Sequence, residues 1–86
     1  MKRSSFQKAK LALDEACEFL RSFTLGRSGF TEKDGVAGVR RVIACCTRME
    51  KLVAGGPNAA AAKMLVASAK SRVLAAQTRL ALLSRR

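Results

Sequence analysis

Cys17, Cys45 and Cys46 are the only thiols in this chain, and no histidine accompanies them. Thiolate and imidazole are the usual ligands of zinc, and three cysteines without histidine cannot complete a four-ligand site within one chain. No CxxC pair occurs, and the odd count argues against a secreted disulfide scaffold. Cys17 and Cys46 fall on apolar stripes, so they read as buried, reduced thiols acting as small hydrophobes, with Cys45 nearer the edge. A Cys17–Cys46 disulfide between the first two helices is the minor alternative to buried, reduced thiols.

Asp14, Glu15 and Glu18 are the largest cluster of carboxylates in the sequence. Paired carboxylates can do acid–base work in a cleft. Here Lys10 precedes Asp14 by four residues and Arg21 follows Glu18 by three, with Lys8 nearby, which describes a solvated, ion-paired surface. No nucleophile is accompanied by a base and an orienting group. The expectation is a non-enzymatic protein without cofactor or metal.

The remaining chemistry is positive charge. Seventeen Lys and Arg against six Asp and Glu give a net charge of +11 over 86 residues. A balance this basic draws nucleic acid, anionic lipid or acidic protein. There is no Trp or Tyr and there are four Phe, too few for single-strand binding by base stacking. Nucleic-acid contact would therefore run to phosphates and to shape. The candidate cations are Arg40, Arg41, Arg48 and Lys51, then Lys63, Lys70, Arg72, Arg79, Arg85 and Arg86. No acid follows Glu50 to neutralise the second set. Gly26-Arg27-Ser28-Gly29 is a weak phosphate-nest candidate, lacking the P-loop spacing and a preceding strand. Gly35-Val36-Ala37-Gly38 matches the GxxG of a KH loop, but no strands surround it.

The elements that must carry these residues are three helices in one domain spanning 1–86. Ser4 and Gln7 form a capping box, and the first helix is expected over about 5–25 with Phe6, Ala9, Leu13, Ala16, Cys17, Leu20 and Phe23 on one stripe. Phe19 lies off that stripe. Gly26 suits a helix stop, and Phe30 should anchor the loop that follows. Thr31 and Asp34 form a second start signal, and the second helix is expected over about 33–54. Gly35 and Gly38 near its start would let another backbone come close or would fray it. Val36, Val39, Val42, Ile43, Cys46, Met49, Leu52 and Val53 give it a broad apolar face, suited to an element touching two neighbours.

The third helix is expected over about 57–84, with Pro57 in its first turn and Asn58 as the alternative cap. Ala62, Val66, Ala69, Val73, Ala76, Leu80 and Leu83 recur in alternating steps of four and three, a heptad seam. Lys63 and Lys70 form one column beside it, and Arg72, Arg79 and Arg86 another. The short Gly55-Gly56-Pro57 link makes the last two helices an antiparallel hairpin. That link, and the length of both helices, fit a DNA-reading helix-turn-helix poorly.

The fold class expected is all-α: a three-helix bundle, or a helical hairpin with a long C-terminal helix whose end projects. Size, charge and plan resemble those of some small ribosomal proteins, in architecture alone.

The leading functional expectation is a small basic subunit that contacts RNA or DNA phosphates, RNA favoured, within a larger nucleoprotein assembly. The alternative is a structural or adaptor subunit binding an acidic protein through the seam of Val66, Ala69, Val73, Ala76, Leu80 and Leu83, without nucleic acid. Peripheral binding to anionic membrane through Phe6, Leu13 and the basic face of the first helix ranks behind both. No run of about 18 apolar residues exists, so no transmembrane helix is expected. The basic, acid-free first 13 residues fit either an import signal or a plain helix start. The thiols point to a reducing intracellular compartment, cytoplasm or organelle matrix.

Overall fold

The computed structural model describes residues 4–27 and 29–85. Three helices follow one another: α1 (Ser5–Thr24), α2 (Glu32–Val53) and α3 (Ala59–Ser84). Each is packed against both others, which makes a three-helix bundle of 46 × 25 × 15 Å.

The helix ends follow from local chemistry. The Ser4 hydroxyl accepts the Gln7 N–H at 3.1 Å, and the Gln7 side chain accepts the Ser4 N–H at 3.1 Å. At α2 the Thr31 N–H donates to Asp34 Oδ2 at 2.8 Å and the Asp34 N–H donates to Thr31 Oγ1 at 3.3 Å. Both boxes satisfy N–H groups that have no partner within the helix. α1 ends in a Schellman turn: Gly26 N–H donates to Phe23 O at 3.0 Å and Arg27 N–H to Ser22 O at 3.3 Å. Gly26 takes φ +74° there. α3 starts two residues later than expected. Pro57 lies in the turn, Asn58 is the N-cap, and its side chain makes no capping bond.

The core is built by unequal partners. α1 contributes the bulk: Leu13, Leu20 and Phe23 are almost fully buried. α3 contributes Ala62, Val66, Ala69, Val73 and Ala76, so its axis can come close to the larger side chains of α1 and α2. The seam expected from the spacing is thus covered inside the chain, by α1 and α2, with Leu80 and Leu83 half-buried at its end. That end does not project. The Ser84 hydroxyl donates to Glu32 Oε1 at 2.9 Å, tying the end of α3 to the start of α2.

α2 buries less than its broad pattern suggested. Val39, Val42, Cys46, Met49 and Val53 are buried, while Val36, Ile43 and Leu52 are 40–49 % exposed. The apolar arc of α2 is wider than the cleft α1 and α3 make for it, so its flank stays in solvent. Cys45 instead packs half-buried against the core.

Gly35 and Gly38 neither fray the helix nor admit a backbone. They admit side chains. A Cβ on Gly35 would stand 2.6 Å from Phe23 Cε2, and one on Gly38 would stand 3.0 Å from Leu20 Cδ1 and 3.1 Å from Phe19 Cδ1. Phe19, off the α1 stripe, packs edge-on to Phe30 with ring centroids 5.2 Å apart. That contact anchors the α1–α2 loop.

Gly35→Ala therefore has two opposed effects. Helix propensity favours Ala by about 1 kcal/mol, while forcing Phe23 to move costs about 1–3 kcal/mol. Urea unfolding followed by circular dichroism should show net destabilisation, relieved when Phe23→Leu is added. A Gly35→Ala chain more stable than the parent would show that Phe23 does not rest on this glycine.

Candidate functional site

The described cations named from the sequence fall into five places, not one patch. On α2, Arg40, Arg41, Arg48 and Lys51 are all exposed. Their helical phase puts them on the outer face, opposite Val42 and Met49. Lys33, seven residues before Arg40, shares that face and is exposed too. Its i,i+7 relation to Arg40 was the available signal, obscured because it falls inside the capping segment. From Lys33 to Lys51 this face runs about 27 Å at the α-helical rise.

Two ion pairs of 4 Å or less occur among the described residues: Arg41 Nη2 to Glu15 Oε2 at 3.9 Å, and Arg21 Nη1 to Glu18 Oε1 at 3.8 Å. Both are solvated, and pairs of that kind contribute little. Lys33, Arg40, Arg48 and Lys51 have no such partner among the described residues.

Lys63 and Lys70 of α3 stand on the side facing α2, where both line a groove with Glu50. Arg72 stands on the opposite side, in the cleft between α1 and α3, among Asp14, Cys17 and Glu18. The heptad arithmetic holds for both columns, but the seam divides them, so α3 turns one toward each neighbour.

Arg79 is a packing residue. Its guanidinium lies over the Phe23 ring, 5.8 Å from the centroid. Its Nε is buried without a protein acceptor. A Cβ on Gly26 would stand 3.0 Å from its Nη2. Half-buried, with its stem along the core, Arg79 covers the end of α1 as much as it carries charge. Arg85 is exposed just past α3, and Arg86 lies outside the described residues. Ser28 of the suggested phosphate nest also lies outside them, and Gly26 of that nest is occupied as a helix stop beside Arg79.

The three thiols are free; Cys46 is buried, and Cys17 and Cys45 are half-buried. Burial pushes the Cys17 and Cys46 thiols above their ordinary range. Arg72 opposes the rise at Cys17 while Asp14 adds to it; Cys17 and Glu50 add to the rise at Cys46. Thiols held protonated are poor nucleophiles. Among the described residues no group of three His, Cys, Asp or Glu side chains is placed to hold a metal ion. Among them too, no helix is long and apolar enough to cross a membrane.

No family model, curated protein or solved structure matches this chain.

Two outcomes follow from this geometry. Arg79→Ala should lower stability by about 1–2 kcal/mol through lost cation–π and stem packing, and Arg79→Lys should restore only part of it. Equal urea midpoints for parent and Arg79→Ala would contradict the packing role. For the thiols, the folded values lie above the unfolded value of about 8.5. Their contribution is fully present below that value and is lost as pH rises through the folded values. The urea midpoint should fall above about pH 9, and less steeply in Cys46→Ala than in the parent; identical pH profiles would contradict it.

Proposed function

We propose that this chain is a small, non-enzymatic, basic helical subunit that neutralises phosphates of RNA or DNA within a larger nucleoprotein assembly. The observation that carries the proposal is the outer face of α2. Lys33, Arg40, Arg48 and Lys51 lie along one exposed face, without an acidic side chain in pairing distance among the described residues. Exposed like charges repel one another along a helix. A polyanion relieves that repulsion and releases its own counterions on contact. At about 27 Å the face is longer than the roughly 12 Å width of a B-form major groove, so it can reach phosphates on both sides of a groove.

The scarcity of aromatic side chains limits stacking on unpaired bases and favours contact through charge and shape. Arg85, at the far end of α3, and Lys63 and Lys70, beside the α2–α3 groove, extend the positive field around that side of the molecule. Arg72 and Arg79 contribute to the field but are held within the bundle. The adaptor alternative through the α3 seam loses its surface, because Val66, Ala69, Val73 and Ala76 are buried by the chain's own helices.

The proposal is tested by binding of labelled structured RNA and duplex DNA across a salt series. The parent should bind at about 150 mM salt, with log K falling linearly against log salt. The Arg40→Glu, Lys51→Glu double variant should weaken binding at least about tenfold and flatten that slope by about two contacts. Arg79→Ala, measured where it is folded, should leave the slope almost unchanged. Equal affinity of parent and double variant at low salt would overturn the assignment of this face.

A further inference from the structure

We infer that the groove between α2 and α3 receives a fourth helix, an acidic amphipathic helix from a partner protein. Two adjoining depressions of about 440 and 580 Å³ share Glu50 and Lys70 in their walls and together run along the outside of the hairpin. Their walls include Ile43 and Val53 of α2 and Leu74 of α3. Ile43 is 49 % exposed and Leu74 65 % exposed, apolar side chains that the bundle leaves uncovered on this side.

The pattern extends along both helices. Val36 and Ile43 are seven apart on α2; Ala60, Ala67, Leu74 and Ala81 are seven apart on α3. Seven residues is two turns, so each set is a row parallel to the core seam but outside it. A helix with two apolar rows is one that touches two neighbours. Alanines on the α3 side keep the groove shallow enough for a helix to lie in it. The walls run from Ile43 of α2 to Ala54, the residue that caps it, and from Ala59 to Leu74 on α3. At the helical rise that is about 16–22 Å, the length of a helix of about 11–15 residues. Seated there, it would convert the triangle of helices into a four-helix arrangement.

Charge identifies the occupant. Lys63 and Lys70 rise from the α3 wall, and Glu50 is the one acid lining either depression. Acidic side chains flanking the apolar ridge of the incoming helix would meet these lysines, as charges beside a helical seam set the choice of partner. A second copy of this chain is a poor occupant. Two molecules of net charge +11 repel, and the acids of α1 are already near cations: Glu15 by Arg41, Glu18 by Arg21, and Asp14 by Arg72. Nucleic acid has no apolar ridge to match Ile43 and Leu74. The groove is therefore separate from the outer α2 face, and a partner there would leave Arg40 and Lys51 free to meet phosphates.

The test is a display library of 18-residue helical peptides, selected on the full chain at about 150 mM salt. Apolar residues are fixed in a heptad seam, and the flanking positions are randomised over Asp, Glu, Lys, Arg and Gln. Selected peptides should be enriched in Asp and Glu at the flanks. They should bind Ile43→Asp and Leu74→Asp at least about tenfold more weakly, sites exposed enough to leave the fold intact by circular dichroism. A Lys63→Glu, Lys70→Glu variant should reverse the preference toward Lys-flanked peptides. Binding to Arg40→Glu, Lys51→Glu should be unchanged, which separates this groove from the phosphate-binding face. The inference is overturned if selection yields no binder, if flanks show no acidic bias, or if affinity ignores Ile43 and Leu74 but follows Arg40 and Lys51. It is overturned as well if sedimentation shows a dimer that Leu74→Asp dissolves, because the groove would then belong to a second copy.

Discussion

The seating of Phe23 against Gly35 sets the geometry of the bundle. The ring tip occupies the volume that any side chain at Gly35 would need. Leu20 and Phe19 use Gly38 one turn later in the same way. Two missing side chains on α2 thus hold three large ones from α1, and the first two helices are brought close at that end. Arg79 then lies over the same ring from α3, and the Schellman turn at Gly26 sits beside its guanidinium. One aromatic side chain therefore ties together all three helices and the stop of the first.

That arrangement accounts for the rest of the packing. A bundle of this size buries a smaller fraction of its surface than a large domain does, so each large side chain must find a close neighbour. Small residues on α2 and α3 provide that closeness where α1 provides bulk. The Ser84–Glu32 hydrogen bond and the half-buried Leu80 and Leu83 hold α3 in line at the same end. The opposite end lies around the Gly55-Gly56-Pro57 link. The groove between α2 and α3 opens toward it.

Charge is distributed by the same constraint. Because the α3 seam is turned inward, the two cation columns beside it must face different neighbours. The lysines look toward α2 and Arg72 toward α1. Close packing at the Phe23 end takes Arg79 into the bundle, where its length and planar head matter as much as its charge. The outer face of α2 has no neighbouring helix, so its cations remain available as a set. Phosphate contact on that face and a helix in the adjacent groove are compatible occupations of different sides of one element.

The helices themselves follow from local chemistry. Two capping boxes, the Gly26 stop, the three helices and the residues of the α3 seam could all be read from local spacing, because capping and helical periodicity are set by residues within a few positions of one another. The net positive charge was legible from composition, and the exposed candidates on α2 from the same periodicity. What each face meets depends on the packing of the three helices. Val36 and Ile43 carry the same apolar signal as Val39 and Val42, yet the width of a cleft made by two distant helices leaves the first pair in solvent. Arg72 and Arg79 carry the same charge signal as Arg40, yet they stand in a cleft and over a ring whose positions depend on glycines in another helix. Periodicity gives a residue its direction from its own helix axis; whether protein or water lies in that direction depends on contacts between residues far apart in the chain.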